Sequence, residues 1–222
     1  MNKKLSPSIM CANFCNLERD IRLLEKVGAE YLHFDIMDGH FVPNFTMGPD
    51  LMRSVREITD IPFDIHLMIE KPEDYIHIFD PRPGDLVCVH QEATVHLQRA
   101  LQRIKDTGAK AAVAINPATP ICMIKHVLPD VEMVLIMTVN PGYAGQKLVP
   151  ATLEKIVELR ELIREKGFSI EIEVDGNVSF ENAAKMSRAG ADIFVAGSSS
   201  LFDRKLGIEE AAARLRQAIN VS

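Results

Sequence analysis

An imidazole and a carboxylate two residues apart, His33 and Asp35, open the stretch His33-Phe34-Asp35-Ile36-Met37-Asp38-Gly39-His40-Phe41-Val42-Pro43-Asn44. In extended chain, residues i and i+2 share a face, so His33, Asp35 and Met37 point the same way. The aromatic and β-branched residues around them favour a strand, and Asp38-Gly39 and Pro43-Asn44 favour a loop after it. Such a pair running into a polar loop suits metal or acid–base chemistry; a surface strand with incidental polar residues is the alternative. Asp64-Ile65-His66-Leu67-Met68 puts His66 and Met68 on one face, and Asp175 closes Ile170-Glu171-Ile172-Glu173-Val174-Asp175 just before Gly176. His33, Asp35, His66 and Asp175 together suit one divalent ion: Zn²⁺, Fe²⁺, Mn²⁺ or Co²⁺, and Mg²⁺ less well. A hydrogen-bonded interior histidine is the competing reading of His66.

Positioning these groups falls to short apolar runs that alternate with longer amphipathic ones. Strands are expected near Leu5–Ile9, Tyr31–Met37, Phe63–Ile69, Leu86–His90, Ala111–Ile115, Met133–Val139, Ile170–Val174 and Ile193–Ala196. Helical segments are expected around Leu17–Val27, Pro49–Glu57, Pro72–Phe79, Thr94–Lys105, Ile121–Val127, Ala151–Lys166, Phe180–Ala189 and Ile208–Ile219. Eight β–α pairs imply a parallel sheet that most simply closes into a single (β/α)8 TIM barrel, one α/β domain over residues 1–222. An open doubly wound sheet competes, but no Gly-rich dinucleotide fingerprint follows the first strand. In a barrel, reactive groups gather at strand C-termini. Those ends read Ser8, His33 with Asp35, His66, His90, Asn116, Met137 with Thr138, Asp175 and Gly197-Ser198, nearly all polar after apolar strands.

Three glycine-bearing loops follow the last three strands: Asn140-Pro141-Gly142-Tyr143-Ala144-Gly145-Gln146, Asp175-Gly176-Asn177 and Gly197-Ser198-Ser199-Ser200. Glycine lets backbone N–H groups approach an anion, so the three form a candidate phosphate cradle; simple turns are the alternative. Met37, Met68 and Met137 recur at strand ends, as core filler or as an apolar collar around a reactive intermediate. In the seventh strand, if Asp175 points into the barrel mouth, parity sends Glu173, and with it Glu171, inward, where a Lys, His or Ser of a neighbouring strand could partner them; exposure of that whole face at the surface is the alternative.

Over 222 residues, 47% are hydrophobic and 25% charged, which excludes disorder; a net charge of −6 argues against a general nucleic-acid binder. Cys11, Cys15, Cys88 and Cys122 show no CxxC spacing and follow no apolar leader, so reduced thiols in a cytoplasmic protein are expected. No run approaches the length of a membrane span.

Taken together, these motifs resemble the ribulose-phosphate 3-epimerase family. The similarity rests on Ser6-Pro7-Ser8, the His33–Asn44 stretch, Asp64–Met68, His90-Gln91-Glu92-Ala93, Asn116–Pro120, Asn140-Pro141-Gly142 with Gly145-Gln146, and Glu173–Gly176, in family order from Leu5 to Phe202. It implies a (β/α)8 enzyme that inverts carbon 3 of a ketose phosphate. On it, one divalent metal sits on His33, Asp35, His66 and Asp175, and Asp35 and Asp175 double as the acid–base pair. Ser8 and His66 contact the sugar, and Met37, Met68 and Met137 flank the intermediate. Phosphate is held by Gly142, Tyr143, Ala144, Gly145, Gly176, Asn177, Gly197, Ser198 and Ser199. A homo-oligomer is the expected assembly. The chemistry is coherent: a carboxylate with a pKa of about 4 cannot take the C3 proton unaided. A Lewis acid must stabilise the enediolate, and inversion needs one acid–base group on each face.

Tyr143-Ala144 stands where the family usually has Phe-Gly, Asn177 replaces a second glycine, and the last loop is one residue longer. These, with Met10-Cys11, look more like its allulose-6-phosphate 3-epimerase branch, whereas Glu92-Ala93-Thr94-Val95-His96-Leu97 looks more like the ribulose enzymes. The D-ribulose 5-phosphate/D-xylulose 5-phosphate pair is the leading expectation and D-allulose 6-phosphate/D-fructose 6-phosphate the rival. An orotidine-type decarboxylase needs a lysine that His33–Asp38 does not offer. A catalytically silent sugar-phosphate binder is the non-enzyme alternative.

Overall fold

Strands of a closed parallel barrel are buried on both faces, and eight segments form such strands here, some apolar throughout and some with polar residues on the inward face. They are β1 (Lys4–Pro7), β2 (Leu32–Met37), β3 (Phe63–Met68), β4 (Leu86–His90), β5 (Lys110–Ile115), β6 (Met133–Met137), β7 (Glu171–Asp175) and β8 (Ile193–Ala196). The computed structural model describes residues 3–203 and 205–220, so the ends of the expected 1–222 unit lie outside the described residues. All neighbouring strands are parallel, in the order β1-β8-β7-β6-β5-β4-β3-β2. A parallel bridge between Ser8 and His33 joins the first strand to the second and closes the ring. Closure excludes the open doubly wound sheet and makes this the expected (β/α)8 barrel.

Among the described residues six α-helices surround it: α1 (Leu17–Lys26), α2 (Pro49–Arg56), α3 (Leu97–Lys105), α4 (Ala151–Lys166), α5 (Phe180–Ala189) and α6 (Ile208–Ile219). Glycines in the left-handed region end α4 and α5, Gly167 at φ 68° and Gly190 at φ 118°. Two expected helices are absent. Pro72–Phe79 breaks into 3-10 turns at Pro72–Asp74 and Ile76–Phe79, stopped by left-handed Asp80. Ile121–Val127 keeps only a 3-10 turn at Ile121–Met123. Such apolar spacing serves two short turns as well as one helix. Helix α3, expected from Thr94, begins late, at Leu97, because the Thr94 hydroxyl bonds Glu73 (2.9 Å) and accepts from the His96 N–H (3.2 Å).

Outward strand residues such as Phe34, Ile65, Val87, Val113, Ile136, Val174 and Phe194 pack against the helices in the main core. Burying each stabilises the ring by roughly 1.5–3 kcal/mol. The inward set divides. Tyr31, Leu86, Cys88, Ala112, Ala114, Met133, Leu135 and Ile193 form an apolar cluster, while Ser6, His33, Asp64, His66, His90 and Glu173 are buried and polar. Half of this barrel's interior is therefore chemistry rather than filler.

Candidate active site

Adjacent strands bring the sequence-selected ligands together. Register pairs Asp35 on β2 with His66 on β3, and Asp175 lies at the end of β7. One ligand atom from each of His33, Asp35, His66 and Asp175 lies within 4.8 Å of all the others. His33 Nε2 is 3.3 Å from Asp35 Oδ1; His66 Nδ1 is 3.5 Å from Asp35 Oδ1 and 3.9 Å from Asp175 Oδ2. Both nitrogens are buried without a hydrogen-bond partner, an expensive arrangement unless something is meant to be bound there. Two orphaned imidazole nitrogens facing two carboxylates fit one divalent cation, as the sequence suggested.

Electrostatics agree. Burial alone would lower His33, yet the charges of Asp64 and Asp35 raise its pKa well above the ordinary histidine value. Burial would raise Asp35, but the charge of His33 and the closeness of the His33 and His66 imidazoles outweigh it and hold that carboxyl low. Burial lowers His66. Burial and then the charge of Asp35 push Asp175 up to about 7. The field is that of a site needing positive charge.

Neighbours fix the first two ligands. Ser8 Oγ donates to Asp35 Oδ2 at 2.6 Å, and His33 Nδ1 lies 2.5 Å from Asp64 Oδ2, which also accepts from Ser6 Oγ at 2.8 Å. A carboxylate only accepts, so Asp64 places the proton on Nδ1 and leaves His33 Nε2 for a metal. The inward glutamates have different fates. Lys4 Nζ meets Glu171 at 2.7 Å at the opposite end of the barrel. Glu173 is fully buried with both oxygens unpartnered, so the partner expected for it is missing. Burial and then the charge of Asp64 raise its pKa well above the ordinary glutamate value.

Above these groups opens a cleft with a volume of about 70 Å³. Asp35 and Asp175 reach it, and Ser8, Met37, Met68 and Met137 line it. Gly142, Tyr143, Ala144, Gly145, Gly176, Asn177, Gly197, Ser198 and Ser199 line the same space, so all three glycine loops converge. His33 and His66 are fully buried and do not line it. Gly176 has φ 119°, and a Cβ there would sit 2.5 Å from Val139 Cγ2. Asn177 occupies the left-handed region at φ 50°, which asparagine tolerates, and Asn182 Nδ2 holds its Oδ1 at 2.6 Å. Tyr143 Oη donates to the Pro43 carbonyl at 2.5 Å and Asn44 Nδ2 to the Gly142 carbonyl at 2.7 Å, tying the β6 loop to the β2 loop. Asp38 is a loop organiser: it accepts from the backbone N–H groups of His40, Phe41 and Glu70.

Residues 4–202 match the model of the ribulose-phosphate 3 epimerase family. The chain belongs to that family. It is 48% identical to a ribulose-phosphate 3-epimerase of Bacillus subtilis over 93% of this chain and 97% of the relative. It is 41% identical to that of Escherichia coli K12 over 90% of this chain and 89% of the relative. A solved Streptococcus mutans protein, KGPDC, superposes with a TM-score of 0.70 at 12% identity, covering 99% of this chain and 98% of the other, a likeness of fold. The resemblance drawn from the motifs is thereby borne out, and with it a carbohydrate epimerase.

In this epimerase, sequence reasoning passed over Asp64, Ser6 and Glu92. Asp64 had a signal, since it shares a face with His66 two residues on. Glu92 also stands two residues from a histidine, His90, but its anchoring by Asn116 and Thr119 depends on which strand lies beside β4.

Proposed function

We propose that this chain interconverts D-ribulose 5-phosphate and D-xylulose 5-phosphate by moving a proton at carbon 3. The observation that carries this reading is the pair Asp35 and Asp175, from strands β2 and β7 with β1 and β8 between them, meeting in one cluster with two histidines. A divalent cation on His33, Asp35, His66 and Asp175 would supply positive charge where negative charge collects as the proton leaves. Asp35 and Asp175 act as the acid–base pair, one removing the proton and the other returning it to the opposite face. Ser8 holds Asp35 by its 2.6 Å hydrogen bond, so that carboxylate keeps its aim while its protonation changes. Met37, Met68 and Met137 shield the planar intermediate from water. The sugar's phosphate lies against the three glycine loops. No lysine or arginine is among the described residues lining the cleft, so backbone N–H groups carry the anion. The same fact disfavours lysine-dependent decarboxylation.

The donor set supports Zn²⁺, Fe²⁺, Mn²⁺ or Co²⁺ in that site. On the same reading, residues 1–222 act as one domain, in the cytoplasm, as a homo-oligomer; the unpaired cysteines support the compartment. Exposed Phe45, Tyr75 and Ile78 support self-association. No described helix is long and apolar enough to cross a membrane. Comparing kcat/KM on D-ribulose 5-phosphate and D-allulose 6-phosphate tests the substrate. At least tenfold preference for the five-carbon sugar is expected, and preference for the six-carbon sugar would overturn the assignment.

A further inference from the structure

His66 presents Nδ1 to the carboxylates, and its other nitrogen meets a second histidine. His66 Nε2 lies 2.8 Å from His90 Nε2, and the two rings, 23° from parallel, meet at their nitrogens. His90 is fully buried, and its Nδ1 lies 3.3 Å from Glu92 Oε2. Glu92 is anchored in turn, its Oε1 accepting from the Asn116 N–H at 2.8 Å and from the Thr119 hydroxyl.

We propose that His90 and Glu92 are positioning residues for the metal centre, wiring the tautomer of His66 so that Nδ1 is the nitrogen left to bind a cation. The inference rests on the metal-centre reading above. A carboxylate accepts and cannot donate, so His90 Nδ1 carries hydrogen. His90 Nε2 is then bare and must accept. The proton between the two rings therefore belongs to His66 Nε2, which leaves Nδ1 bare on the side of Asp35 and Asp175. His33 is wired by its direct contact to Asp64, and the opposite way round, so that Nε2 is its free nitrogen. The two histidines thus face one cation through different atoms, each chosen by a carboxylate that never touches it, buried Asp64 for His33 and partly exposed Glu92 for His66. The wiring also gives a task to His90-Gln91-Glu92 and Asn116–Thr119, sequence motifs without a place in the proton transfer.

Glu92→Gln breaks the logic. Its amide has one acceptor, whereas Glu92 accepts from His90 on one oxygen and from Asn116 and Thr119 on the other. If the NH₂ faces His90, both histidines must reverse and a hydrogen covers His66 Nδ1. His90→Gln should preserve the wiring, because a glutamine there can accept from His66 and donate to Glu92. His90→Leu, of similar size, cannot.

Two readouts independent of turnover test this. Long-range ¹H–¹⁵N NMR of the metal-free protein should show His66 protonated on Nε2 and His90 on Nδ1; the reverse pattern overturns the proposal. Co²⁺ affinity by chelator competition, with the d–d spectrum, should weaken 10- to 100-fold in Glu92→Gln and His90→Leu and recover at least in part in His90→Gln. Thermal melts would confirm that each variant is folded. Affinities within twofold of wild type in folded Glu92→Gln, or equal losses in His90→Gln and His90→Leu, overturn it. If the wild type takes up no Co²⁺, the metal centre itself fails, and the NMR tautomers alone decide the wiring.

Discussion

Asp175→Asn removes a proton carrier while keeping nearly the same shape. Because burial and Asp35 already push Asp175 up to about 7, a neutral amide is compatible with its surroundings. Turnover should fall by about 10³-fold or more, while the melting temperature in chelator stays within a few degrees of wild type. Unfolding, or near-normal turnover, would contradict its assigned role. At this scale much was legible. His33, Asp35, His66 and Asp175 stood out because polar groups at the ends of apolar strands have no packing reason to be there. The roles of Asp64 and Glu92 and the raised pKa of Glu173 were not legible, because each depends on contacts between strands or their loops.

At the scale of elements, the β6 loop crosses the cleft and is pinned to the β2 loop by Tyr143 and Asn44. Tyr143 is half exposed, so the bond from its hydroxyl to Pro43 is worth about 0.5–1 kcal/mol. Tyr143→Phe should therefore raise KM about two- to five-fold with kcat nearly unchanged. A change in kcat alone, measured by steady-state kinetics, would mean the loop serves the chemical step rather than binding. Strand positions were read to within a few residues because short apolar runs between amphipathic segments mark them. Pro72–Phe79 and Ile121–Val127 misled because periodicity in short segments does not separate one helix from two 3-10 turns.

Across the whole molecule, stability and the site share the same buried polar interior. Glu92 links the two. Burial would raise its pKa, but hydrogen bonds from His90, Thr119 and Asn116 hold it at about 2, against 4.5 ordinarily. The unfolded chain thus takes up a proton first as pH falls, so this stabilisation is full above about pH 4.5 and lost on descending through about 2. Glu92 is partly exposed, and with solvent screening the contribution is about 1–2 kcal/mol. Urea midpoints in chelator should therefore drop more steeply between pH 5 and pH 3 in wild type than in Glu92→Gln. Parallel slopes would contradict the role given to its hydrogen bonds. Barrel closure was legible from the count of β–α units.

The central claim is that two carboxylates share the work at carbon 3, one on each face of the sugar. Early in turnover of D-ribulose 5-phosphate in D₂O, NMR should find deuterium at C3 of the D-xylulose 5-phosphate formed and almost none in the remaining substrate. Unlabelled product, or label appearing equally fast in substrate and product, would contradict it.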